Sequence, residues 1–166
     1  MPDRAVRNNR SRDREHEHVL IRTGDVRSDG SPARELIPAR RLRGRDYLVV
    51  GTPALANGCA AGDRIRVEES GDFIVVERGG KVAVQIYAGA SIPATDLIDL
   101  RVAFGELNGV VEWPAERRFV VVTVPVDVGF AAIERLVDNW TRRLADVGWN
   151  YGNIYDDEDR PLNWWT

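Results

Sequence analysis

The spacing of apolar residues changes character along the chain, and the change divides it in two. In residues 16–22 Val19 and Ile21 fall on one side of an extended segment and Leu20 on the other, which predicts a strand. Residues 23–32, rich in Gly, Asp and Ser, read as a loop. Two further strands are expected around residues 36–42 and 47–50, with Gly44 and Asp46 supplying the turn. The stretch GTPALANGCAAGD, residues 51–63, is made of small residues and turn formers and suits a loop pressed closely against a sheet. Three apolar runs follow: Ile65 and Val67, then residues 73–76, then Val82, Val84 and Ile86. Ser70-Gly71-Asp72 and Gly79-Gly80 separate them, which predicts an antiparallel meander with a tight hairpin at the glycine pair.

Beyond residue 90 the period becomes helical. Leu97, Leu100, Phe104 and Leu107 share one helix face, Ser91 or Thr95 can cap its start, and Asn108-Gly109 offers a left-handed stop. Residues 110–113 and 119–124 are β-branched runs joined by Pro114-Ala115-Glu116-Arg117, a predicted hairpin. Phe130, Ile133, Val137, Trp140, Leu144 and Val147 trace a second helix face, with Asp127 as cap and Gly148 as stop. Alternation over residues 149–155 predicts a last strand. Counting from residues 82–87, the order is β-α-β-β-α-β, the split arrangement of ferredoxin-like folds.

The fold class expected is therefore α+β. A β-rich half, residues 16–88, forms a small barrel or curled antiparallel meander and shares a core with a ferredoxin-like unit, residues 82–155. Residues 1–15 carry Arg4, Arg7, Arg10, Arg12 and Arg14 with almost nothing apolar, so ordering them would gain little burial and a mobile basic tail is expected. Residues 156–166 form an acidic and aromatic tail.

Composition narrows the function classes. At 166 residues, 43% hydrophobic and 30% charged, the chain is long and apolar enough to bury a real core. A net charge of −3 argues against a dedicated nucleic-acid surface, which needs clustered Lys and Arg. Cys59 is the single cysteine, so no intrachain disulfide can form and no thiolate metal site can be built within one chain. With neither a signal-peptide run nor an apolar stretch of membrane-spanning length, the sequence is read as cytoplasmic, with no membrane partner.

The strand HVLIR, the segment DYLVVGTPALANGCAAGDRIRVEE, the stretch FIVVERGGKVAVQIY and the helix-hairpin-helix after it together resemble bacterial proteins of the domain-of-unknown-function family DUF4265. The resemblance spans residues 16–155, and its most specific part runs from the aromatic-containing strand through the Pro-bearing small-residue loop to Gly62-Asp63. Where the family pattern has a polar Ser-Gly-His-Ser-type stretch, this chain has Glu77-Arg78-Gly79-Gly80-Lys81, so no role of such a His or Ser transfers. The resemblance implies the fold and carries no established activity.

No constellation of residues reaches a catalytic, metal or cofactor signature, and the sites expected from sequence are for partner binding. His16 and His18 share one face of an extended segment, as a two-ligand metal clip requires, but the remaining ligands have no placement. Cys59 has no histidine placed to activate it and reads as a packed thiol. Glu106, Glu112, Glu116, Glu134 and Asp138 are scattered, with nothing gathering them into an acid-base pair. Asp156, Asp157, Glu158 and Asp159 form an acidic run suited to a basic partner, and Trp164 and Trp165 either dock on the fold or belong to an interface. Docking is favoured, because chain ends bearing large apolar residues are usually tied down. The leading expectation is a non-catalytic accessory or immunity-type protein that binds another protein. The alternatives are a nucleic-acid-associated module using the Arg-rich tail, and a small-molecule binder or enzyme with a cleft between the halves. The former lacks a recognisable aromatic stacking pair on central strands.

Overall fold

Alternation in the N-terminal half places Val19, Ile21, Ile37, Ala39, Tyr47, Val49, Ile65 and Val67 on one buried face, and five strands form around it. They are β1 (Glu17–Val26), β2 (Pro32–Arg43), β3 (Asp46–Val49), β4 (Arg64–Val67) and β5 (Phe73–Glu77), an antiparallel meander in sequence order. The computed structural model describes residues 17–166, so the basic tail expected at residues 1–15, and His16 with it, lie outside the described residues. The sheet curls without closing into a barrel. Its first and last strands, β1 and β5, are not paired; β1 instead meets the β4–β5 turn, where the Arg22 amide donates to the Gly71 carbonyl at 2.9 Å and Arg22 Nε to the Ser70 carbonyl at 3.1 Å.

The loop expected over residues 23–32 is shorter in the structure. A register shift between Arg22 and Val26 lets β1 continue to Val26 opposite Pro32, and Arg27 closes the turn by donating to the Ser31 carbonyl.

The C-terminal half holds β6 (Lys81–Ala88), α1 (Ala94–Gly105), β7 (Val110–Glu112), β8 (Phe119–Pro125), α2 (Phe130–Thr141) and β9 (Val147–Tyr151). Its sheet is antiparallel in the order β7-β8-β6-β9, which gives the β-α-β-β-α-β connectivity anticipated from the sequence. Val82, Val84, Ile86, Val120, Val122 and Val124 project from one face of it onto Leu97, Leu100 and Phe104 of α1 and Ile133, Val137 and Trp140 of α2. Trp140 Nε1 donates to the Asp96 carbonyl at 2.9 Å, tying the two helices together. The expected common core takes the form of two apolar clusters, one per half, joined by a buried seam of hydrogen bonds.

Several local expectations are corrected. Gly79-Gly80 is not a hairpin turn: β5 belongs to the first sheet and β6 to the second, and the two do not pair. The buried Asp63 carboxylate accepts the Gly79 amide at 2.8 Å and draws the chain across, so that a Cβ on Gly79 would lie 2.5 Å from the Gly62 carbonyl. Glycine is required by that backbone approach. Ser91 and Thr95 do not cap α1, whose N-cap position is Pro93; the Ser91 hydroxyl instead donates to the Glu116 carbonyl. Asp127 lies in a 3₁₀ turn, Val126–Val128, ahead of α2. That helix ends at Thr141, where i to i+3 bonds tighten the chain, and Asp146 at φ 56° turns it into β9. Gly148 is thus a strand residue, and the last strand starts two residues earlier than the alternation suggested. The left-handed stop at Asn108 is present, with φ 59° and the Gly109 amide donating to the Phe104 carbonyl.

Candidate interaction groove at the junction of the halves

The sheet of the C-terminal half has a second face. Ala83, Gln85 and Tyr87 on β6, and Phe119, Val121 and Thr123 on β8, point away from the helices, because side chains alternate across a strand. The small-residue loop of residues 51–63 covers one end of this face, held by polar bonds. Glu35 of β2 accepts the amides of Ala54, Leu55 and Ala56 at 2.7, 3.0 and 2.7 Å and fixes the loop's shape. Thr52 and Thr123 share a hydrogen bond of 2.6 Å between the halves. Gln85 donates to the carbonyls of Pro53 and Ala56 at 3.2 and 2.9 Å and accepts from Asn150 Nδ2 at 2.9 Å.

Below the loop, Asp63 is fully buried. It accepts the Ala60 and Gly79 amides at 2.9 and 2.8 Å and lies 3.4 Å from Arg78 Nη1. Burial holds its carboxyl above the usual carboxylate range, with those amides and Arg78 pulling the other way. Cys59 packs in the same place, and burial raises its thiol pKa with Asp63 nearby adding to the effect, so it stays protonated. Asn153, also fully buried, accepts the Ala83 amide at 2.9 Å and donates to the Lys81 carbonyl at 2.8 Å.

The other end of the face is open. Tyr87 and Phe119 are directly paired across β6 and β8 and remain 49% and 37% exposed. The Tyr87 ring lies over Gly148 of β9, where a Cβ would come within 2.6 Å of it. A groove of about 900 Å³ runs past these rings between Leu55 of the covering loop and the edge strand β9, and it is also lined by Tyr155 and the acids Asp25, Asp156, Asp157 and Asp159. A second cleft of about 520 Å³ adjoins it, sharing Thr23, Asp25, Asn57, Tyr155, Asp156 and Asp157 and adding Arg22 and Arg78.

The acidic run expected from sequence is divided by the fold. Asp156 is committed internally: it accepts the amides of Glu158 and Arg160, both at 2.9 Å, and Arg160 Nε at 2.8 Å. Those bonds hold its carboxyl below the usual range, the Arg160 amide having the largest effect. Glu158 pairs with Arg160 at 3.0 Å and does not line the groove. Asp157 and Asp159 do, together with Asp25 from the end of β1, and none of the three has an ion-pair partner among the described residues.

Trp164 and Trp165 lie elsewhere and dock on the body. Trp165 meets the Phe130 ring edge-on at 5.1 Å and Trp164 at 5.6 Å, while Trp164 Nε1 donates to the Asn153 carbonyl at 2.7 Å and Arg78 sits over its ring. His18 is exposed on β1, and among the described residues no group of three or more His, Cys, Asp or Glu side chains is arranged to hold a metal ion. Among the described residues no helix is long and apolar enough to cross a membrane.

Sequence reasoning missed Tyr87, Phe119, Tyr155 and Asp25. A signal for the first two exists: once Val84, Ile86, Val120 and Val122 are assigned to a helix-covered face, Tyr87 and Phe119 must share the opposite one.

The fold is shared with a solved structure described as "Novel crystal structure of a hypothetical protein from Neisseria gonorrhoeae", at 15% identity and a TM-score of 0.62, covering 82% of this chain and 94% of that one. Among curated proteins none matches. The family pattern described as "Domain of unknown function (DUF4265)" matches residues 35–149, from the glutamate that clamps the covering loop to the edge strand of the groove, and the chain therefore belongs to the DUF4265 family.

Proposed function

We propose that this protein is a non-catalytic interaction module that binds another protein in the groove at the junction of its two halves. One observation carries the reading. The helix-free sheet face is closed at one end by a loop fastened through individual hydrogen bonds, and is left open at the other with two cross-strand aromatic rings at the surface. Exposed aromatic rings beside a polar rim are the composition of a binding surface, and they give large contact area for little side-chain entropy. A bacterial accessory or immunity-type role, in the cytoplasm, is the biological form of the same proposal. The Arg-rich residues 1–15 offer a second contact, for nucleic acid or an acidic protein.

The test is photo-crosslinking in the native host. With p-benzoylphenylalanine at position 87, a discrete adduct is expected; with the same group at position 36, on the exposed outer face of the first sheet, that adduct is absent. The partner so identified, once purified, should bind the unmodified chain and lose binding to a Tyr87→Ala/Phe119→Ala double variant. Equal crosslinking from both positions contradicts the proposal.

A further inference from the structure

The interaction reading leaves the chemistry of the partner open, and the groove's lining supplies it. We infer that the groove takes an extended, arginine- or lysine-bearing segment of the partner; this inference rests on the interaction reading and names its ligand class. Among the described residues the groove's lining holds no Lys or Arg, whereas Asp25, Asp156, Asp157 and Asp159 all face it. These carboxylates come from two distant parts of the chain, the end of β1 and the loop after β9, so the charge is gathered by the fold and not by a sequence run alone.

The second observation is independent of charge. Tyr87, Phe119 and Tyr155 line the same groove and keep 49%, 37% and 46% of their surface exposed. Exposed aromatic rings and carboxylates lining one groove are the combination that holds a guanidinium or ammonium group, the ring attracting the cation and the acid accepting its N–H groups. The fold uses the ring part of this combination within itself: the Arg101 guanidinium lies 3.8 Å from the centre of the Trp113 ring, with its N–H groups donating to the Val111 carbonyl.

Shape adds a third element. β9 is an edge strand of its sheet and contributes Trp149, Asn150 and Tyr151 to the groove, so the groove adjoins a strand edge of the kind that takes an extended segment. An aromatic pair on two central strands also suits base stacking, but phosphates entering this groove would meet three carboxylates that have no ion-pair partner among the described residues, which favours the peptide.

The experiment titrates a fluorescein-labelled peptide of alternating Arg and Gly into the full-length chain, followed by anisotropy, beside the matching Glu-Gly peptide and a labelled single-stranded oligonucleotide. Saturable binding of the Arg-Gly probe alone is expected. Asp25→Asn/Asp157→Asn/Asp159→Asn should weaken it at least tenfold, and restoring the charge with Glu at the same three positions should recover most of it. Glu68→Gln/Glu69→Gln, which removes exposed acids bound to Arg45 on the other half, should leave it unchanged. Each variant is checked for an unaltered unfolding midpoint.

Three outcomes overturn the inference: an unweakened triple Asn variant, preferential binding of the oligonucleotide, or at least tenfold tighter probe binding when Arg4, Arg7, Arg10, Arg12 and Arg14 are changed to Ser. The last would assign the groove to the chain's own N-terminal segment. If the probe fails while crosslinking from position 87 still captures a partner, the ligand chemistry is wrong and the groove stands. If both fail, the interaction reading falls with it.

Discussion

The two faces of the β6–β9 sheet are covered in different ways, and the contrast separates what holds this protein together from what it presents to others. On one face, Val84, Ile86, Val120 and Val122 are sealed under α1 and α2 by apolar packing, which is non-directional and scales with area. On the other, a small-residue loop is fastened by Thr52, Gln85 and Glu35 through individually placed hydrogen bonds, and it stops short of Tyr87 and Phe119. Hydrophobic packing gives stability wherever shape permits. Directional bonds fix where a cover begins and ends, and so leave an opening of defined shape.

The contrast implies a ranking of mutational effects. Trp140→Ala removes a buried ring and its bond to Asp96 under the packed face, and should cost about 3–5 kcal/mol in denaturant unfolding. A loss below about 1 kcal/mol would mean that the packed face contributes no more than a surface position does. Asn153→Ala at the seam leaves the Ala83 amide and Lys81 carbonyl without partners in a buried place, and should cost about 1–3 kcal/mol. Truncation after Arg160 removes both docked tryptophans and should cost a similar amount, about 1–3 kcal/mol, with sedimentation unchanged from the full-length chain if the rings serve only to tie down the tail. Tyr87→Ala/Phe119→Ala, at the open end, should change stability by less than about 1 kcal/mol while removing partner binding.

The smallest effect is one of pH. The folded Asp156 carboxyl is held below its ordinary range, so its contribution is fully present above the unfolded value and is lost as pH falls through the lower folded one. The stability difference between the unmodified chain and Asp156→Asn, read by denaturant unfolding, should therefore be constant from pH 7 to about pH 5 and shrink only below about pH 4. A step near neutrality would point to a different group.

Much of the fold was legible because a periodic set of apolar residues marks most strands and helices, even where others, such as Ile98 and Val102 on α1, stay exposed. Leu97, Leu100 and Phe104, or Ile133, Val137 and Trp140, mark their helices by period alone, and the β-α-β-β-α-β order follows from counting. What was not legible depends on contacts between distant residues. Gly79-Gly80 looks like a hairpin turn in any local window, and only the amide of Gly79 on Asp63, sixteen residues away, makes it a crossing between sheets. Leu144 and Val147 continue the helical period of α2 although the chain has already turned, since both still face the core. The acidic run was visible as sequence, yet its division into an internally bonded Asp156 and groove-lining Asp157 and Asp159 depends on the Tyr155–Pro161 bridge that closes the loop. Asp25 joins them only through folding.

The central claim, that a partner binds at the open end of the outer sheet face, is tested most directly by nuclear magnetic resonance of the ¹⁵N-labelled full-length chain titrated with the Arg-Gly peptide. The account predicts amide shift changes concentrated at Asp25, Tyr87, Phe119, β9 and residues 155–159, with the helix-covered core silent. Changes centred instead on the outer face of the five-stranded sheet, around Leu20 and Leu36, would contradict it.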